Sequence, residues 1–330
     1  MKPALVAAIL AAVALSAASC TNQKEAASVD QKIGQMPGVS STNLSYDSNV
    51  SSGETFRLTV NLMPDVTDAQ VVRISQTFVD QIKRTGLDDE SADLYLRFSS
   101  PDPPSKHPGS EQYSTASFGF GQKSVRVDPT ADQVGDSAGV WLRAARAGVA
   151  QLVDLVQPLW GEGGDSRQIT ITLDPSTPAA KAVGLQRSDP GLAQATWEIH
   201  LPVGDVGRSH DYTSTPNPPS DPDRALWSDI SAVVGEYYDA KADTAPMSDR
   251  RQALTVVEID VPKSADSDQD LARIAREVPP LLPRFGHPTQ LSLRTPDGMV
   301  ELIAGGCFTH RDDHTRLPLE LELSARYEKC

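Results

Sequence analysis

From Glu54 onward the chain alternates between apolar and polar side chains. Phe56, Leu58, Val60 and Leu62 take every second position, with Arg57, Thr59 and Asn61 between them, the two-residue period of a half-buried strand. Met63, Pro64 and Asp65 break the pattern. Thr67 with Gln70 three residues later forms a capping box, and Val71, Ile74, Phe78 and Ile82 then recur at helical spacing until Gly86, which predicts a helix with a glycine stop. Leu94, Leu96 and Phe98 restore the alternation. The result is a strand–helix–strand unit.

The same rhythm continues. Pro101, Pro103, Pro104 and Pro108 mark a loop, followed by a predicted strand from Thr115 to Phe120 and a short one from Ser124 to Asp128. A long helix is predicted over 136–156 from Val140, Leu142, Val149, Leu152, Val153 and Val156, and Gln168 to Leu173 reads as a strand. Residues 174–194 hold three prolines and little pattern, the mark of a domain boundary. The second half restarts with a strand from Thr196 to Leu201. A proline-rich loop through Pro216, Pro218, Pro219 and Pro222 leads into a predicted helix over 224–240. A strand over 253–261 and a helix over 267–282 follow, then strands over 290–294 and 299–303 around the turn at Pro296, Asp297 and Gly298, a hairpin signal. Leu317, Leu319, Leu321, Leu323, Ala325 and Tyr327 alternate as an expected C-terminal strand. The order of elements predicts an α+β chain of two tandem β-α-β (ferredoxin-like) modules, over 54–180 and 190–330, with helices on one face of a mainly antiparallel or mixed sheet.

Ahead of these modules the pattern differs. Residues 1–20 read MKPALVAAILAAVALSAASC, with Lys2, an apolar run from Ala4 to Leu15 and then small residues, the layout of a secretory signal peptide. The run is shorter than the ~20 residues of a membrane-spanning helix. Ala17, Ala18, Ser19 and Cys20 resemble the lipobox of a bacterial lipoprotein precursor, with Ala in place of the commoner Leu three residues before the cysteine. That resemblance implies cleavage after residue 19, lipidation of the Cys20 thiol, acylation of the new amino group by a chain such as palmitate, and anchorage on the outer face of the cytoplasmic membrane. The rival readings are ordinary cleavage after Ala18 with full secretion, and an uncleaved anchor. Residues 21–53, rich in Ser, Gln, Asn and Gly, are expected to form a flexible tether spanning roughly 30 Å as a random coil.

Composition narrows the classes. The chain has 330 residues and a formal charge of −14, with 44 acidic residues against 30 basic, which argues against a nucleic-acid partner. Its 39% hydrophobic and 22% charged content is that of a folded protein. Three cysteines are too few for a disulfide scaffold or a four-thiolate zinc site. With Cys20 lipidated, Cys307 and Cys330 remain as an even pair in an oxidising compartment. A C-terminal strand antiparallel to its neighbour would put the two at opposite ends of the sheet, so two unpaired thiols stay an open alternative. Arg outnumbers Lys by 20 to 10, which with the lipobox points to a GC-rich, actinobacterial envelope lipoprotein.

Candidate chemistry is thin. Signatures of serine hydrolases, zinc proteases, redox dithiols and phosphate loops are missing. Gly119 and Gly121 begin a glycine-rich motif, but Ser124 stands at the third glycine and the stretch lies between strands. His310 and His314 flank Arg311, Asp312 and Asp313 in an expected loop, where the spacing does not align two metal ligands. Ser209, His210 and Asp211 adjoin in sequence, which is not triad geometry. Asp266, Asp268, Asp270 and Glu277 match calcium-loop positions 1, 3, 5 and 12 without the glycine at position 6. Trp141, Trp160, Trp197 and Trp227 are expected in the core. No catalytic residue, cofactor or metal is assigned. The expectation is a non-enzymatic envelope module binding a protein or cell-wall partner; the alternatives are a carrier of lipid or another apolar ligand, or a hydrolase on cell-wall or exported substrates.

Overall fold

A computed structural model describes residues 22–49, 53–89, 91–99, 113–121, 128–157, 167–204, 208–246, 253–262, 267–295, 298–307 and 316–329. It divides into two units, Met1–Thr170 and Ile171–Cys330. A helix over 22–34, α1, leads into β1 (Val39–Asn49), β2 (Gly53–Leu62), α2 (Asp68–Thr85), β3 (Ser91–Phe98), β4 (Ser114–Phe120), α3 (Ala131–Arg146), β5 (Ala150–Gln157) and β6 (Gln168–Leu173). Then come α4 (Ala179–Ser188), β7 (Thr196–Val203), β8 (Arg208–Ser214), α5 (Asp221–Val234), β9 (Asp239–Pro246) and β10 (Ala253–Asp260). The last elements are α6 (Ser267–Glu277), β11 (Thr289–Thr295), β12 (Gly298–Ala304) and α7 (Pro318–Tyr327).

The strands form one twelve-stranded mixed sheet in the order of the sequence, β1 to β12. The chain is α+β, but it is not two ferredoxin-like modules. A ferredoxin-like split βαβ leaves room for another strand between the two that flank a helix. Here those strands are direct parallel neighbours, with Thr55 opposite Ser91 across α2, Thr115 opposite Asp154 across α3, Asp211 opposite Lys241 across α5, and Thr255 opposite Thr289 across α6. Between crossovers come antiparallel pairs: β1 with β2, β3 with β4, β7 with β8, β9 with β10 and β11 with β12. Short connections make antiparallel neighbours and helical ones parallel neighbours, so the sheet grows one strand at a time.

Several expected elements change identity. The expected tether is folded: α1 buries Ala26, Val29 and Ile33, a helical stripe that the surrounding Ser and Gln obscure, and β1 pairs with β2 along its length. The long helix over 136–156 is α3 followed by β5. Gly148, at φ +65, reverses the chain between them, and Val153 and Leu155 then point into the core. The helix over 224–240 ends at Val234, and β9 begins five residues later. The expected C-terminal strand is helix α7. Pro318 occupies its first turn, where the missing N–H costs nothing, and the buried positions are Glu320, Leu323 and Ser324 while Leu321 is exposed. The expected strand over 124–128 is not described as one; its first four residues lie outside the described residues.

The core of the first unit lies between its strands and α2 and α3. Phe56 stacks on Phe78 at 5.7 Å and Phe78 meets Phe120 at 5.7 Å. Gly135 lets the two helices approach closely, since a Cβ there would sit 3.1 Å from Val72 and Gln76. In the second unit Tyr212 packs on Trp227 at 6.1 Å and Phe285 at 6.2 Å. Trp141, Trp197 and Trp227 are fully buried, and each indole N–H donates to a carbonyl, of Val153, Pro216 and His210 respectively. A buried indole needs such a partner. Trp160 lies outside the described residues.

Candidate binding groove on the second unit

Alternation fixes which side chains line the solvent face of β7 to β12. Inward go Trp197 and Ile199, His210 and Tyr212, Ala240 and Ala242, Val257 and Ile259, Leu291 and Leu293, Val300 and Leu302, all buried. The residues between them must point the other way. Following the register from strand to strand, His200 stands opposite Asp211, Asp211 opposite Lys241, Lys241 opposite Glu258, Glu258 opposite Ser292, and Ser292 opposite Glu301. One transverse line of the sheet is therefore a ladder of alternating charge. Cross-strand pairs of opposite charge stabilise such neighbours.

Two adjoining cavities open along this ladder. One, of about 480 Å³, is lined by Ser209, Asp211, Asp239, Lys241, Glu258, Asp260, Ser292, Arg294 and Met299 with backbone from Ala240 and Ile259. The other, of about 370 Å³, is bounded by Glu198, His200, Asp211, Thr213, Lys241, Ala242, Asp243, Val256 and Glu258. Asp211, Lys241 and Glu258 belong to both, which makes one groove with the ladder as its floor.

Within the groove the cations are matched to carboxylates. His200 Nδ1 lies 2.6 Å from Asp211 Oδ1 and its Nε2 3.6 Å from Glu198. Lys241 Nζ is 2.9 Å from Glu258, and Arg294 is 3.4 Å from Asp260. The hydrogen bond to Asp211 raises the His200 pKa above its usual value, burial opposes it, and the charges of Asp211 and Glu198 add to the rise. Burial pushes the Asp211 carboxyl up, but hydrogen bonds from His200 and Ser209 outweigh it and hold the group below the usual carboxylate range. Asp243 titrates above that range because burial and the nearby Glu258 outweigh Lys241. Asp239 and Asp243 form no ion pair among the described residues, so the groove carries more carboxylate than its own cations neutralise.

The adjacent residues Ser209, His210 and Asp211 are separated by the pleat. Asp211 faces the groove with Ser209, whereas His210 is fully buried on the opposite face, its Nδ1 2.7 Å from Ser231 Oγ and its Nε2 2.9 Å from the Tyr238 carbonyl. A carbonyl can only accept, so Nε2 carries the proton and Nδ1 accepts from Ser231. That serine–histidine pair is sealed in the core. The calcium-loop reading fails as well: Asp268, Asp270 and Glu277 lie in helix α6, and Asp270 binds Tyr238 Oη at 2.6 Å and Arg273 at 2.9 Å. Among the described residues no group of His, Cys, Asp and Glu is arranged to hold a metal. Gly119 is an ordinary strand residue of β4. Asp266, Ser124, His310 and His314 lie outside the described residues.

Cys307 is disulfide-bonded. Cys20 and Cys330 lie outside the described residues. The objection to joining Cys307 with Cys330 rested on a C-terminal strand, which is absent. Instead α7 returns the chain to the end of β12, where Gly305 N–H donates to the Tyr327 carbonyl and Lys329 N–H to the Gly306 carbonyl at 2.8 Å.

Most of the groove was hidden from sequence reasoning. Glu198 and His200 stand on the polar face of a recognised strand, but Asp211 and Lys241 lie on β8, read as part of a loop, and on β9, of which only the first two residues fall in a predicted element, the helix over 224–240. A second unrecognised network lies under the sheet, where Tyr212 Oη, Thr244, Thr255 and His287 form a chain of hydrogen bonds of 3.0, 2.7 and 2.6 Å. Comparison with protein-family models and with curated proteins finds no match to this chain.

Proposed function

We propose that the protein is an envelope lipoprotein, anchored through Cys20 on the outer face of the cytoplasmic membrane, whose second unit binds a cationic polypeptide segment in the groove over β7 to β12. The observation that carries the binding role is the charge ledger of the groove, in which His200, Lys241 and Arg294 are each matched by a carboxylate while Asp239 and Asp243 form no ion pair among the described residues. An incoming Lys or Arg side chain supplies what those two lack, and beside Asp243 it would oppose the burial and the Glu258 charge that raise that carboxyl's pKa. A carboxylate at each ring nitrogen favours the protonated form of His200. The carrier reading has less support, because the groove walls are charged and Trp197 and Trp227 fill the core of the same unit.

Calorimetric titration of the full mature chain with an arginine-rich peptide tests the binding role. Roughly micromolar affinity, declining with added salt and weakened about tenfold in the double variant Asp239→Asn, Asp243→Asn, is the expected result. Equal affinity for an acidic peptide, or no heat at any salt concentration, overturns it.

A further inference from the structure

The helix that replaces the expected tether bears on where the first unit sits. The first described residue of α1, Asn22, is two residues after Cys20, and two residues of extended chain reach at most about 7 Å. The helix cannot lift away to act as a spacer. Ala26, Val29 and Ile33 are essentially fully buried, and Asn22 Nδ2 donates to Glu54 Oε2 of β2 at 2.7 Å.

The outward stripe of α1 holds Lys24, Ala27, Ser28, Gln31 and Lys32, all exposed, while the helix's two acids, Glu25 and Asp30, are partly buried. Two of only ten lysines in a chain of charge −14 therefore share an exposed surface without a fully exposed acid.

We infer that the first unit lies directly on the membrane, with the Lys24–Lys32 face of α1 docked on anionic phospholipid headgroups. The inference rests on the Cys20 anchor proposed above. The short reach keeps α1 beside the bilayer, and each lysine near an anionic surface strengthens the contact about fivefold.

The test uses the full lipidated chain with a fluorophore on a Ser28→Cys substitution, reconstituted into vesicles carrying an acceptor at the headgroup level. Its mass is measured first. In vesicles of phosphatidylcholine with phosphatidylglycerol, energy transfer is high. It falls when a long Gly/Ser spacer is inserted between Thr21 and Asn22, and also falls in the Lys24→Glu, Lys32→Glu variant. In pure phosphatidylcholine that variant and the parent give equal transfer. Parent and spacer chains with the same low transfer, or a charge-reversed variant matching the parent in anionic vesicles, overturn the inference while leaving the anchor intact. A mass without lipid removes the anchor, and the inference with it.

Discussion

The solvent faces of the two units differ in chemistry although each unit repeats the same alternation of hairpins and helical crossovers. On the first, charges and hydroxyls close on one another. Arg57 pairs with Asp93 at 3.4 Å and lies over Tyr95 at 5.0 Å, Arg97 lies over Tyr113 at 5.9 Å, and Asp154 accepts from Thr115 at 2.5 Å. On the second, every cation of the groove is matched and carboxylates remain. The backbone plan is held by inward residues, where an error costs core packing. Outward positions carry no such constraint, so one plan supports a closed polar face in one unit and an acidic groove in the other.

The largest expected effect strikes the shared scaffold. Trp141→Ala in the first unit and Trp197→Ala in the second each remove a fully buried indole and its hydrogen bond to a carbonyl, and each is expected to cost about 3–5 kcal/mol. Denaturant unfolding of each variant checks this; a loss below about 1 kcal/mol at either site would contradict the packing described. Next in size is the crosslink. Cys307 is expected to pair with Cys330, closing a loop of about two dozen residues, and its removal should cost about 3 kcal/mol in the chain-entropy model. Peptide mapping without reductant checks the partner, and a Cys307 peptide joined to anything else contradicts it.

Binding should separate the two faces. Asp239→Asn with Asp243→Asn is expected to weaken an arginine-rich peptide about tenfold, or ~1.4 kcal/mol, whereas Asp93→Asn on the first face should leave affinity unchanged. Equal losses at both faces would mean that net charge, not the groove, drives association.

The smallest effects are those of pH. His200 has a folded pKa above the usual imidazole value of about 6.5, so its contribution is fully present below that value and disappears as pH rises through the folded one. His287 is depressed by burial, despite Asp223, so its contribution is present above 6.5 and is lost on acidification. Both groups are partly exposed, and solvent screening holds each effect under about 1 kcal/mol. Urea midpoints between about pH 8 and pH 5 check the signs. His200→Gln should lose more stability on acidification than the parent, and His287→Gln less.

Strong local signals survived into the structure. The capping box at Thr67 and Gln70, the glycine stop at Gly86, the alternation of β2, β3 and β10, and the β11–β12 hairpin pairing were all legible, because each is written within a few consecutive residues. What failed needed tertiary knowledge. Val149 to Val156 fits a helical and a strand period alike, and only Gly148 decides between them. Leu317 to Leu323 alternates as a strand does, yet its Leu and Glu residues favour a helix once Pro318 starts one. β8 and β9 carry too few large apolar residues to announce themselves: the side chains they bury include His210, Ala240 and Ala242. The groove is built on those two strands, so it could not be seen before the sheet was.

The central claim is that the second face, and not the first, is the binding surface. Chemical-shift mapping of the isotope-labelled full mature chain during titration with the arginine-rich peptide tests it most directly. The account predicts saturable shifts at Asp211, Asp239, Lys241, Asp243 and Glu258, with Arg57, Asp93 and Tyr95 unmoved. Shifts concentrated at β2 and β3, or spread evenly over both units, would contradict it.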